Sequence, residues 1–242
     1  RDAKSRGAQV AKLGRKQKAK QIKVGHGGTL DPLASGVLVL GVGKGTKLLQ
    51  DYLTGSKAYR AVGQLGKETD TLDLDPTGTV VKEKPWGHVT EESLKAVLPK
   101  FLGTISQVPP LYSAKRVNGK RLYELARDEG IDVNDIHIDP KTVHIYDIQI
   151  NVNLPNFTID AEVGGGTFIR SLIRDIAYEV DTVATTTVLQ RSKQGPFLLE
   201  DCIEKDDWTA DNIFAQIEKW NEKFETDETV KHNIPKQKSK EE

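Results

Sequence analysis

Residues Val24 to Thr46 read VGHGGTLDPLASGVLVLGVGKGT, and this stretch constrains the chain more than any other. Glycines gathered around one carboxylate permit a backbone path that side-chain-bearing residues follow only at a cost. Asp31 stands immediately before Pro32, His26 lies ahead of it, and the apolar run Val37 to Leu40 follows. An aspartate before proline is ordinarily a turn residue, because its side chain bonds nearby backbone and proline pushes the preceding residue towards extended geometry. Local physics therefore accounts for Asp31 as a turn, and a chemical role has to be supported from elsewhere in the chain.

Downstream, VLVL predicts a short buried strand and GVGKGT leads into a helix from about Thr46 to Leu53, ended by Gly55. A strand, a glycine-rich turn and a helix are also the parts of a phosphate loop. Gly41 to Thr46 nevertheless matches neither the G-x-x-x-x-G-K-[ST] spacing nor a complete G-x-G-x-x-G fingerprint. Lys57 to Gly63 reads as an extended strand, and Thr69 to Gly78 as a polar loop. Its acids, Asp70, Asp73 and Asp75, lack the glycine and terminal glutamate of a calcium loop, so a solvated turn is expected. Thr90 caps a helix whose apolar stripe is Leu94, Val97, Leu98, Phe101 and Leu102.

The prolines of Val108 to Arg116 exclude a central strand. That segment runs through the turn pair Asn118-Gly119 into a helix, Arg121 to Glu129, ended by Gly130. Lys115, Arg116, Lys120 and Arg121, flanked by Tyr112 and Tyr123, combine cations with rings as RNA-binding surfaces do, although a wet basic turn has the same composition. Alternation predicts strands over Thr142 to Val152 and Phe157 to Val163. Ile169, Leu172, Ile173, Ile176, Ala177 and Val180 then form a helical stripe. Arg170 falls off that stripe in the first turn, where the helix dipole disfavours a cation, so an anion is expected to face it. Thr185 to Leu189 is a last strand running on through Arg191, and a terminal helix is expected between Asp206 and Phe224.

Composition narrows the classes. One cysteine, Cys202, excludes an internal disulfide and a multi-cysteine zinc site, and His26, His88, His137, His144 and His232 show no close ligand spacing, so no metal is expected. No run approaches the ~18 apolar residues of a membrane span. Lysine plus arginine total 35 and aspartate plus glutamate 35, but the charges are segregated: residues 1–23 are basic, whereas 200–228 are rich in carboxylates. A neutral sum thus leaves room for a basic cleft. The basic stretch is an arm that either contacts phosphate or acts as an address. Because the chain starts at Arg1 and contains no methionine, it is expected to be trimmed at its N-terminus.

GHGGTLDPLASGVL closely resembles the signature loop of the TruB-type pseudouridine synthases, which isomerise a uridine in the TΨC loop of tRNA. Further blocks follow in the same order from Val24 to Phe197: Lys57-Ala58-Tyr59-Arg60, VPPLYSAKRVNGKRLYELAR, GGGTFIRSL and VLQR. The resemblance implies an α/β (α+β) fold, a mixed and largely antiparallel sheet flanked by helices. It implies that Asp31 is the nucleophile, Arg170 its partner, and Tyr59 the ring that stacks on the target base and assists removal of the C5 proton. His26, Lys115, Arg116, Lys120, Arg121 and Leu189 would contact RNA or the pocket. No cofactor is implied. Phe168 departs from the family's usual tyrosine.

The organisation expected on this basis is a basic arm over 1–23, a catalytic domain over 24–200, a helical extension over 201–225 and a polar tail over 226–242, without a C-terminal PUA domain. The loop and arm look more like the eukaryotic stand-alone branch, which implies nuclear or mitochondrial residence, a monomer acting on the tRNA TΨC stem-loop and also on mRNA, and no membrane partner. Two rival readings are a non-catalytic RNA-binding or RNA-folding protein and a nucleotide-binding protein using Gly41 to Thr46.

Overall fold

The computed structural model describes residues 22–117, 119–127 and 136–227. The arm expected over 1–23 lies outside the described residues except for its last two, as does the tail beyond Asp227. So do Asn118, Glu129 and Gly130.

In chain order the strands are β1 (Val24–His26), β2 (Ser35–Gly36), β3 (Leu40–Val42), β4 (Lys57–Leu65), β5 (Lys67–Thr69), β6 (Val80–Glu83) and β7 (Gly103–Gln107), then β8 (Arg116–Val117), β9 (Lys120–Arg121), β10 (Lys141–Asn153), β11 (Asn156–Val163), β12 (Ala184–Gln194) and β13 (Phe197–Leu198). The helices are α1 (Leu49–Thr54), α2 (Glu91–Val97), α3 (Leu122–Ala126), α4 (Ile169–Glu179) and α5 (Ala210–Thr226). A seven-stranded sheet runs β13-β12-β4-β11-β10-β7, with β2 added on β12. Every neighbouring pair is antiparallel except β2 and β12. The fold is therefore mixed α/β with a mainly antiparallel sheet, as expected.

Alternation builds that sheet. In β11, Phe157, Ile159, Ala161 and Val163 are buried on one face. In β10 a register shift between Ile145 and Asp147 resets the period, so that Val143 and Ile145 face the core before it and Ile148 after it. Helix α4 covers this face, packing on β12 and β4 through the fully buried Leu172, Ile173, Ile176 and Ala177. Each large apolar side chain so buried contributes about 1.5–3 kcal/mol. Thr90 caps α2 through a reciprocal bond with Ser93, and Leu94, Val97 and Phe101 close the core from that side.

Four local expectations change. VLVL is not a buried strand: Val37 is buried, Leu38 and Leu40 are exposed, and regular pairing starts at Leu40. The helix after it is split into a 3-10 turn, Gly43–Leu48, and α1. Leu102 lies outside the apolar stripe because the last turn of that segment is 3-10, which rotates the side chain into solvent. The C-terminal helix starts at Ala210, after a 3-10 turn at Lys205–Asp207, and is held to the body by Trp220 and Phe224 against Phe197.

Candidate active site

The loop between β1 and β2 carries Asp31. The Ala34 amide donates to the Asp31 carbonyl at 2.9 Å, closing a turn with Pro32 at its second position, the place where its fixed φ fits. Arg191, 1% exposed, holds the loop from beneath. Its Nε donates to the Val37 carbonyl at 2.6 Å, Nη2 to Gly28 at 3.1 Å and Nη1 to Thr29 at 3.4 Å. Both flanks of the Asp31 turn are thereby fastened to β12. Gln194 adds a bond from Nε2 to the Gly27 carbonyl at 2.7 Å. Gly36 is needed here: its φ is +103°, and an added Cβ would lie 2.2 Å from the Arg191 carbonyl oxygen.

Across the cleft, Arg170 in the first turn of α4 places Nε 2.7 Å from Asp31 Oδ2. The same guanidinium donates to the Thr71 carbonyl at 2.6 Å and the Tyr112 carbonyl at 3.0 Å, and its Nη1 lies 3.3 Å from Asp73 Oδ2. Arg170's side chain is 4% exposed and that of Asp31 34%. One buried cation thus joins the signature loop, the 70–78 loop and the segment after β7, while its carboxylate partner faces the opening. The expected anion opposite Arg170 exists, and there are two. Arg170 itself is buried, so the helix presents it inward.

Tyr59 and Arg191 are paired across β4 and β12, and Arg191 Nη1 lies 3.5 Å from the Tyr59 hydroxyl. Burial raises the Tyr59 phenol above its ordinary range, Arg191 opposes the rise, and Asp31 adds to it. A phenol in this position is protonated at neutral pH and can donate or accept a hydrogen bond. Beneath it, Lys57 donates to the carbonyls of Tyr52, Leu53 and Gly55 at the end of α1. Burial, with Arg191 nearby, pulls the Lys57 ammonium down to about 8.

The cleft between Asp31 and Arg170 is narrow and open to solvent, and is lined by Leu33, Ala34, Asp73, Thr186, Thr187, Val188 and Leu189 besides the pair. The structure therefore brings Asp31, Arg170 and Leu189 together, with Tyr59 alongside. His26 is set apart from the lining: exposed on β1, it accepts a bond at its Nδ1 from the Gly28 amide at 3.3 Å. The basic residues occupy the β8–β9 hairpin, joined to the site through Tyr112. Lys115 donates to the Asp139 carbonyl, Arg116 to Gly119, and Arg121 to the Tyr123 hydroxyl, while Lys120 is exposed. Tyr123 already carries two cations, Arg121 and Arg127, at 5.7 and 6.0 Å from its ring centre, so it is not an open stacking platform.

Four contributors escaped the sequence reading. Asp73, expected in a solvated turn, is buried against Arg170; the unusual positive φ of its neighbour Leu72, +61°, turns it inward. Arg191 and Gln194 read as polar positions of a strand, and only burial reveals them as the support of the loop. Gln107 on β7 accepts from the Phe168 amide at 2.8 Å and so caps α4 just ahead of Arg170. The rival phosphate loop is not formed: Gly41 packs against Gly45 and Leu49, and the following turn is a short 3-10 segment instead of a helix N-terminus.

The mainly antiparallel sheet, with helices packed on its face and the paired carboxylate and guanidinium at its cleft, is the fold of the pseudouridine synthases. A solved chain of a Cbf5-Nop10-Gar1 complex has this fold, with a TM-score of 0.55 and 26% identity over 88% of this chain and 50% of that one. The family model described as TruB family pseudouridylate synthase (N terminal domain) matches residues 15–169. Pseudouridylate synthase TRUB1 of Homo sapiens is 46% identical over 91% of this chain and 62% of its own length. A tRNA pseudouridine synthase B of Clostridium perfringens (strain SM101 / Type A) is 42% identical over 86% of this chain and 70% of its own. The chain belongs to the TruB family of pseudouridylate synthases. It spans about three-fifths of the length of the mammalian relatives it matches.

Proposed function

We propose that this chain is the catalytic part, over about residues 24–200, of a tRNA pseudouridine synthase acting on the TΨC loop. The observation that carries the reading is the 2.7 Å pair of Asp31 and Arg170, in which the cation is buried and the carboxylate faces the opening. Isomerisation breaks the bond from C1′ to N1 of uracil, forms one from C1′ to C5, removes the C5 proton and returns a proton to N1. It consumes no oxidant and no nucleotide. Asp31 is the nucleophile, its charge stabilised by Arg170; Tyr59 stacks on the base and assists the proton transfer. The target uridine is extruded from its loop at a cost of a few kcal/mol, and Leu189 with Leu33 gives it an apolar wall.

The hairpin cations Lys115, Arg116, Lys120 and Arg121, and His26 at the front of the loop, contact the RNA backbone in this reading. Activity on mRNA, action as a monomer, and residence in the nucleus or mitochondrion belong to the same proposal. Release of tritium from tRNA labelled at uridine C5 is the test, comparing the chain with Asp31→Ala. Loss of release in the variant, with tRNA affinity kept, is the expected result. Binding without release by either protein would make it an RNA-binding protein instead.

A further inference from the structure

Three consecutive threonines start the second half of the cleft wall, and two have partners. Thr185 Oγ1 donates to the Lys67 carbonyl at 2.9 Å, and Thr187 Oγ1 to the Val62 carbonyl at 3.3 Å. Thr186 between them is 3% exposed, lines the cleft beside Asp31 and Asp73, and its buried hydroxyl has no hydrogen-bond partner among the described residues. A buried hydroxyl left unmatched costs free energy, which a fold tolerates where something else supplies the match.

Its neighbours leave it available. Asp73 is already engaged, by the Asp75 amide at Oδ1 and by Arg170 at Oδ2. Arg170 has committed its Nε to Asp31, Nη1 to Thr71 and Nη2 to Tyr112. The other walls, Leu33, Ala34, Val188 and Leu189, are apolar. Such walls suit the faces of a pyrimidine better than a phosphate, but a pyrimidine buried there loses water from its carbonyl oxygens and needs a donor to replace it. Deepening the functional reading above, on which it rests, we propose that Thr186 donates its hydroxyl to a carbonyl oxygen of the extruded uracil and so helps fix the ring's orientation before and after it turns.

The test compares wild type, Thr186→Val and Thr186→Ser in kcat and KM on tRNA, in tRNA affinity, and in urea unfolding without RNA. Thr186→Val should lower kcat/KM about 5- to 20-fold with RNA affinity unchanged, and Thr186→Ser should restore most of it. The free valine variant should be as stable as wild type or more so, since a methyl replaces an unmatched hydroxyl in the same volume. RNAs with 2-thio- or 4-thiouridine at the target identify the acceptor: one sulfur substitution should slow wild type but add little to Thr186→Val. Unchanged turnover in the valine variant overturns the inference, as does a matching loss of stability, which would mean that the hydroxyl serves the fold through a trapped water. Costs that simply multiply for both thio-RNAs also overturn it. A wild-type protein that forms no pseudouridine would instead overturn the functional reading, and this inference with it.

Discussion

Arg170 and Asp31 lie 139 positions apart in the chain, and their side chains meet at 2.7 Å. The contact needs α4 packed against β12 and β4 and the signature loop pinned over β12, so formation of the pair reports that these elements have docked. Asp31 is about a third exposed and its share of the stability is screened; Asp73, buried on the same guanidinium, carries more of it.

Replacing Arg170 with methionine leaves two carboxylates and the carbonyls of Thr71 and Tyr112 without their donor. The expected cost is about 3–5 kcal/mol, read as a lower urea midpoint. Adding Asp73→Asn to that variant should recover part of the loss, because the uncompensated buried charge is gone. Strictly additive losses would show that Asp73 and Arg170 are not energetically coupled.

Arg191 predicts a different signature. Its removal as Arg191→Met frees the carbonyls of Gly28, Thr29 and Val37 at once, so the loop should loosen before the core does. Hydrogen exchange at the Ala34 and Val37 amides should accelerate, while the amides of α4 keep their protection. Uniform acceleration over both would mean that the arginine only supports global stability.

At Gly36, alanine would place a carbon inside the contact distance of the Arg191 backbone, which cannot swing aside as a side chain can. Gly36→Ala is expected to cost on the order of 3 kcal/mol or to prevent folding. Gly43, also at positive φ but with nothing within 4 Å of an added Cβ, is the control, and Gly43→Ala should cost about 1–2 kcal/mol. Thermal melts of the two variants compare the values directly.

Lys57 makes stability depend on pH in an unusual direction. Its ammonium titrates near 8 in the folded protein, against an ordinary 10.5. Below about 8 both states are protonated and the fold carries the full cost of the buried charge. Between about 8 and 10.5 the unfolded chain binds the extra proton, so raising the pH favours the folded state, by up to about 3 kcal/mol for this gap. Above 10.5 the contribution is flat. Urea midpoints of wild type and Lys57→Met from pH 7.5 to 10 should converge or separate accordingly: wild type gains relative to the variant, and parallel slopes would refute the assignment.

Much of this was legible in the linear chain. The stripes of α2 and α4, the alternation of β11, and the isolated cation in the first turn of α4 follow from the side-chain periods of helix and strand, which are local properties. Resemblance in several ordered blocks singled out Asp31, Tyr59, Arg170 and Leu189 before any coordinates. VLVL misled because hydrophobicity marks what could be buried, whereas loop closure over Arg191 admits only Val37 and leaves Leu38 and Leu40 outside.

Asp73, Arg191, Gln194, Gln107 and Thr186 belong to the other category. Each is a polar residue in a locally unremarkable setting, and its importance comes from partners far along the chain: Arg191 reaches Gly28 across 163 positions and Gln194 reaches Gly27 across 167. Hydrogen bonding and charge are worth little on a solvated strand and a great deal in a buried site, so the same residue changes role with its surroundings. Local pattern therefore decided which segments became helix and strand and which carboxylate stood in the loop. Only the packing of the sheet decided which polar groups lost their water and had to be matched by one another.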